Sequence, residues 1–187
     1  MIIAVVTPRH YNAPWDFVQS LIKVIGTGEY LFIHIEGPSV ADNRNEVLKR
    51  AKELNDHLLF IDADMVFIPE DVKNIRAHLD TGKDAIAGVY VLDSKKKALF
   101  KRIEGDYEFI EPEIGVKPCG AAGTGFLGIH KKVVQMMPPD AFNQLSEGEI
   151  RHGTDVSFCH RMMQRGLQLW YDSEIQLGHI RSHVMYP

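Results

Sequence analysis

The sequence predicts an α/β fold: one Rossmann-like domain with a mostly parallel central sheet, helices on both faces and a small additional β-hairpin. Three observations predict it. Over the first ninety residues, short apolar runs alternate with segments of helical period in the order β-α-β-α-β-α-β, as in a parallel sheet covered on both faces. The apolar runs are continuous, as in strands buried on both sides. The chain has 187 residues, a length that suits one domain burying about 70% of the surface its unfolded form exposes.

Residues 2–6, Ile-Ile-Ala-Val-Val, form the first strand, and residues 7–12 a loop. Pro14 suits a first helical turn. Phe17, Val18, Leu21, Ile22 and Ile25 follow at helical spacing, and Gly26 closes the helix. Residues 30–35 form a second strand. Asp42 or Asn43 caps the next helix, whose stripe is Val47, Leu48, Ala51 and Leu54; Glu46 and Arg50 stand four apart in the favourable order. Residues 57–61 are a third strand that runs straight into Asp62-Ala63-Asp64. Pro69, Glu70 and Asp71 have the chemistry of a helix first turn, with Val72, Ile75 and Leu79 facing inward. Residues 85–91 form the fourth strand.

The pattern then changes. Residues 99–103 and 107–110, separated by Glu104-Gly105-Asp106, read as a hairpin. Residues 120–125 are glycine-rich and 126–129 are a short strand. Residues 137–153 carry Pro138, Pro139, Gly148 and Gly153 and few periodic apolar residues, so they read as an irregular loop. A helix over 154–165 is expected, capped by Thr154, ended by Gly166, with Val156, Cys159 and Met163 inward. Residues 167–171 are the last clear strand. No internal repeat or linker interrupts the pattern, so residues 1–187 read as a single domain.

Composition excludes several classes. The chain is 45% hydrophobic and 25% charged, which excludes disordered and low-complexity chains. Its net charge of -4 gives no bulk electrostatic footprint for nucleic acid, so no such partner is expected. The two cysteines, Cys119 and Cys159, make no CxxC pair, which argues against a disulfide framework or a zinc finger; both read as packing residues. The first residues lack the basic and long apolar regions of a signal peptide, and no apolar stretch approaches the roughly 20 residues of a membrane span. The expectation is a soluble, cytoplasmic domain of open oligomeric state.

Three motifs carry chemistry. Asp62 and Asp64 emerge at the carboxyl end of a buried strand, the edge where open α/β sheets bind ligands. Two acids at this spacing are natural oxygen ligands for a hard divalent cation on phosphates; the plain structural alternative is an Asx turn or helix cap. Asp155, in Gly153-Thr154-Asp155-Val156-Ser157-Phe158-Cys159, starts a helix, where it either complements the dipole or serves as a general base on a bound hydroxyl. His179, after the last strand, is an ordinary packed histidine unless the carboxylate pair needs a nitrogen ligand, a combination that suits Mn2+.

In this order, and together with Ala41-Asp42-Asn43-Arg44-Asn45-Glu46 and Gly123-Thr124-Gly125-Phe126-Leu127, the chain resembles nucleotide-sugar-dependent glycosyltransferases of the GT-A fold, particularly the inverting family-2 type. Asp62-Ala63-Asp64 is similar to their DxD motif. The segment 153–159, with Arg161 and Gly166 after it, resembles the helix that carries their catalytic base. Gly178-His179 resembles their late metal-binding histidine. Thr154 departs from the pattern, since many relatives carry an acid there. The resemblance implies a nucleoside diphosphate sugar donor, a hydroxyl acceptor of unknown identity, and Mn2+ or Mg2+ held by Asp62, Asp64 and His179. It implies Asp155 as the base. It places Thr7, Pro8, Arg9, Arg44 and Asp62 around the nucleotide, and Gly123, Thr124 and Gly125 beside the acceptor or the donor sugar.

Three other readings stay open at this point. A haloacid-dehalogenase-type phosphohydrolase would use Asp62 as a phosphorylated nucleophile, although that motif normally opens its domain and here two strands and two helices precede it. A sugar nucleotidyltransferase would need a glycine-rich basic loop after the first strand, and Thr7-Pro8-Arg9-His10 lacks glycine. A non-catalytic nucleotide-sugar-binding module would bind the donor without transfer.

Overall fold

The structure is a computed structural model that describes residues 1–93, 96–104, 106–147, 150–180 and 184–185. In chain order its elements are β1 (Ile2–Pro8), α1 (Trp15–Ile25), β2 (Leu31–Gly37), α2 (Val40–Leu54), β3 (Leu58–Ile61), β4 (Met65–Val66), α3 (Pro69–Asp80), β5 (Ala85–Val89), β6 (Val91–Asp93), β7 (Lys96–Lys97), β8 (Leu99–Ile103), β9 (Asp106–Phe109), β10 (Val116–Cys119), β11 (Ala121–Ala122), β12 (Phe126–Ile129), α4 (Lys131–Met136), β13 (Ser146–Glu147), β14 (Ile150–Arg151), α5 (Thr154–Met163), β15 (Leu169–Gln176), β16 (Gly178–Ile180) and β17 (Val184–Met185).

The central sheet runs β10-β15-β5-β12-β3-β1-β2. β1 pairs parallel with β2 and β3, and β5 pairs parallel with β15. β12 runs antiparallel between β3 and β5, and β10 lies antiparallel beside β15. Most strands therefore share one direction, as expected, but β3 and β5 are not neighbours. A strand from much later in the chain fills the gap, because Phe126, Leu127 and Ile129 are apolar on both faces and Gly128 leaves room for the Ile75 side chain of α3.

Both faces of the sheet are buried, which explains the unbroken apolar runs. Ile2, Ala4, Val6, Leu58 and Phe60 point to one core, closed by α2, α4 and α5. Ile3, Val5, Leu59 and Ile61 point to the other, closed by α1 and α3. β8 and β9 form the additional hairpin, joined by β11; its expected turn residue Gly105 lies outside the described residues.

Several boundaries differ from expectation for local reasons. α1 buries Phe17, Ser20 and Val24, and leaves Ile22 54% exposed. The Ser20 hydroxyl accepts the Phe67 amide at 3.2 Å, which turns that face inward. Ser39, not Asp42 or Asn43, caps α2: its hydroxyl accepts the Asp42 amide at 3.2 Å, so Asp42 sits in the first turn. α5 is capped by the backbone of Gly153, which makes Thr154 its first residue and Asp155 its second; the inward face is Phe158, Cys159 and Met162.

The described part of the irregular segment 137–153 is anchored by single residues. Phe142 is fully buried and stacks on Phe158 with ring centroids 4.4 Å apart. Asn45 accepts the Phe142 amide, and Arg161 donates to the carbonyls of Ala141 and Asn143. Gly148 of this segment lies outside the described residues.

Candidate active site

The site forms where β1, β3 and β5 end. β3 stops at Ile61, and the Asp62 amide donates to the Gly125 carbonyl at 3.0 Å, tying this strand end to the turn before β12. Thr124 in that turn donates its amide to Asp155 Oδ2 at 3.2 Å. The two acids therefore hang from opposite sides of one short segment.

Arg44, reaching up from the first turns of α2, stands between them. One terminal nitrogen donates to Asp155 Oδ1 at 2.6 Å and to the Thr154 hydroxyl at 3.0 Å; the other donates to Asp62 at 3.0 and 3.3 Å. Arg44 is only 4% exposed, so the pairing operates where screening is weak. Burial alone would lower its proton affinity, but Asp155 and then Asp62 more than reverse that and keep the guanidinium charged. Burial pushes Asp155 up, yet Arg44, the Thr154 hydroxyl and the Thr124 amide hold its carboxyl below the usual range. Asp62 goes the other way. Its burial outweighs the pull of Arg44, and repulsion from Asp155 and Asp64 adds to the rise. Among the described residues, the Nε of Arg44 is buried with no hydrogen-bond partner.

Asp64 and His179 form a separate pair. Strand ladders bring them together, since β4 pairs antiparallel with β16 and sets Met65 opposite His179. The Ile180 amide donates to the Asp64 carbonyl at 2.8 Å. His179 Nδ1 lies 2.8 Å from the Val91 carbonyl, which can only accept, so Nδ1 carries the proton. Nε2 then faces Asp64 Oδ2 at 3.2 Å. A carbonyl-fixed imidazole whose other nitrogen meets a carboxylate is a fitting donor set for a divalent transition ion. Asp62 is turned to Arg44 instead, and among the described residues no three His, Cys, Asp or Glu side chains close around one ion position.

Two cavities flank the Arg44 bridge. One, of about 200 Å³, is lined by Pro8, Tyr11, Val40, Arg44, Asp62 and Asp64. The other, of about 490 Å³, is lined by Leu92, Phe100, Gly123, Gln144, Thr154 and Asp155. Of the expected nucleotide contacts, Pro8, Arg44 and Asp62 line the first cavity. Thr7 is buried, its hydroxyl 2.9 Å from His34 Nε2 and its carbonyl accepting from Asn43. Arg9 is exposed. The donors of Arg44 go to carboxylates and Thr154, a role its position on a helix did not announce.

Tyr11, Tyr90, Phe100 and Gln144 were not singled out by sequence. Tyr11 is an aromatic residue in the loop after the first strand, a local signal that it lies at the ligand edge; burial, Asp64 and Asp62 raise its hydroxyl pKa. Tyr90 has no comparable signal, because it reads as one more residue of an apolar strand. Its phenol is kept protonated by burial and by Asp62 and Asp155.

No protein-family model and no curated protein matches the sequence. Solved structures do match the fold. A197 from STIV superposes with a TM-score of 0.73 at 20% identity, over 97% of this chain and 86% of that one. GalNAc-T7, crystallised with UDP, GalNAc and Mn2+, superposes with a TM-score of 0.64 at 13% identity, over 96% of this chain but 44% of that chain. A protein from Desulfovibrio desulfuricans described as a nucleotide-diphospho-sugar transferase gives a TM-score of 0.50 at 12% identity, over 91% of this chain and 78% of that one. The chain thus has the fold of GT-A glycosyltransferases, with acids and a histidine at the ligand edge of its sheet.

Proposed function

We propose that this chain is a metal-dependent glycosyltransferase, similar to the inverting family-2 type, which moves a sugar from a nucleoside diphosphate sugar to an acceptor hydroxyl. One observation carries the reading: the Asp64–His179 pair and Asp155 lie on either side of the Arg44–Asp62 bridge, with a separate cavity at each. A two-substrate displacement needs that division.

In this reading the cavity beside Pro8, Tyr11 and Val40 takes the nucleotide, with Thr7 and Arg9 at the strand end that carries it. Asp64 and His179 would hold Mn2+ or Mg2+, which supplies charge neutralisation for the departing diphosphate. Asp155 faces the second cavity, which Gly123 lines on the acceptor side while Thr124 and Gly125 are buried behind it. Asp155 takes the proton of the acceptor hydroxyl while that oxygen bonds to the anomeric carbon. The bond from that carbon to the diphosphate oxygen breaks on the opposite face, which gives inversion. Arg44 and the Thr124 amide keep Asp155 ionised, and so able to accept.

The test is incubation with UDP-, GDP- and dTDP-sugars in Mn2+, reading slow donor hydrolysis. Hydrolysis of one donor class, lost in Asp155→Asn with donor binding retained, is expected. No turnover of any donor with Mn2+ shown to be bound would overturn the proposal. Pyrophosphate release from a nucleoside triphosphate and a sugar phosphate would replace it with nucleotidyl transfer.

A further inference from the structure

Tyr90 lies between β5 and β6, 3% exposed, beneath the site and outside both cavity linings. It touches Gly125 and His179 directly and reaches Asp62 and Asp155 through the turn at Thr124 and Gly125. The phenol oxygen accepts the Gly125 amide at 3.1 Å. Gly125 in turn accepts the Asp62 amide at 3.0 Å through its carbonyl. Its neighbour Thr124 holds Asp155 Oδ2 by its amide at 3.2 Å. The Tyr90 ring meets the His179 ring edge-on, with centroids 5.5 Å apart at 73°. The next carbonyl along the chain, that of Val91, fixes His179 Nδ1 at 2.8 Å.

The glycines of the turn are moulded to this phenol. A Cβ on Gly123 would collide with Tyr90 Oη, and one on Gly125 would stand 2.7 Å from it. Close backbone approach at Gly123 and Gly125 is therefore already taken up by a side chain of the protein. A buried hydroxyl costs free energy unless it is bonded. A phenylalanine would fill the space of the ring but leave the Gly125 amide without its acceptor, so the oxygen does what packing alone does not.

We propose that Tyr90 is a positioning residue: its hydroxyl sets the 123–125 turn that holds Asp62 and Asp155 in register, and its ring braces His179 beside Asp64. The chemistry it serves rests on the transferase reading above. Tyr90 touches neither substrate, so its effect is on the alignment of groups that do. Misplacement of about 1 Å at such groups costs on the order of a hundredfold in rate, and loss of a partner behind a metal ligand costs about 10–100-fold in affinity or activity.

The experiment compares the wild-type chain with Tyr90→Phe and Tyr90→Leu, after circular dichroism shows each is folded. Free Mn2+ is counted by electron paramagnetic resonance, donor hydrolysis is measured with the nucleotide sugar that wild type turns over, and the Thr124 and Gly125 amides are followed by NMR. Tyr90→Phe is expected to lower kcat at least about tenfold, with KM and Mn2+ affinity within about twofold, and to move both amide resonances. Tyr90→Leu is expected to weaken Mn2+ binding by about tenfold or more as well. If Tyr90→Phe leaves kcat and the Thr124 amide at their wild-type values, the positioning role is overturned while the transferase reading stands. If wild type neither binds Mn2+ nor hydrolyses any donor, the transferase reading falls. The Thr124 amide then still decides whether the phenol sets the turn that holds Asp155.

Discussion

Arg44 holds two carboxylates at once, and that defines what its removal does. Arg44→Met would leave Asp62 and Asp155 facing each other without a counter-charge. Breaking a buried pair by deleting one partner costs about 3–5 kcal/mol; both carboxylate side chains are about a third exposed, which puts the expected loss near about 3 kcal/mol. Urea unfolding checks it, and an unchanged midpoint would exclude the bridge. The two acids then separate by pH. Asp155 is held below its ordinary value. Its contribution is therefore complete above the unfolded carboxylate value near about 3.9 and is lost as pH falls through the folded one. Asp62 is raised, so the folded state binds its proton more tightly, and stability falls as pH rises from the unfolded value through the folded one. At neutral pH Asp155→Asn should therefore destabilise more than Asp62→Asn. Only Asp155→Asn should flatten the acid limb of the stability profile; equal losses from the two variants would contradict this assignment. Asp62, Asp64 and Asp155 can be singled out in the sequence because strand ends and helix starts are local features, whereas His179, inside β16, is singled out only by the resemblance. The partners of Arg44 are not legible: they come from residues 18 and 111 positions away.

At the scale of elements, the turn before β12 and the segment before α5 carry the site. Gly123→Ala sets a Cβ against Tyr90 Oη, an overpacking expected to cost about 1–3 kcal/mol. Adding Tyr90→Phe removes the clashing atom, so the double variant should lose less than the sum of the singles by about 1 kcal/mol. Strict additivity in denaturant melts would mean that the turn shifts instead of pressing on the phenol. The 137–153 segment gives a second case. Its prolines and glycines and its lack of apolar period read as an irregular loop and leave its anchors unseen, because period reports regular elements and not single anchors. Phe142, buried against Phe158 and Phe60, is such an anchor. Phe142→Ala should cost about 3–5 kcal/mol, where a residue of a loose loop would cost almost nothing. The helix stripes show the same limit in milder form. Spacing located α1 and α5, but which residues face inward was settled by single partners such as Ser20 on the Phe67 amide.

Across the whole molecule, six of the seven strands of the central sheet are legible as apolar runs, whereas β10 and the neighbour order are not. β12 enters between β3 and β5 from forty residues downstream of β5, and nothing local to either strand reports it. That insertion also delivers the 123–125 turn to the acids, so the part of the fold least visible in sequence is the part that assembles the site. Among the described residues no helix is long and apolar enough to cross a membrane. An ion held by Asp64 and His179 alone would have two protein ligands and would bind weakly. A nucleoside diphosphate in the neighbouring cavity would add oxygens to the same ion, and each ligand must then raise the affinity of the other by the same factor. At about 100 times the dissociation constant, linkage stabilises the folded state by about 2.7 kcal/mol, which for a chain of this size raises Tm by roughly 5–10 °C. Mn2+ alone and UDP or GDP alone should each give a small shift, and the pair a shift larger than their sum. Asp64→Ala and His179→Ala should each remove that excess while leaving the shift from the nucleotide alone. Shifts that merely add in the wild type, or an excess that survives both substitutions, would show that Asp64 and His179 do not join metal to diphosphate.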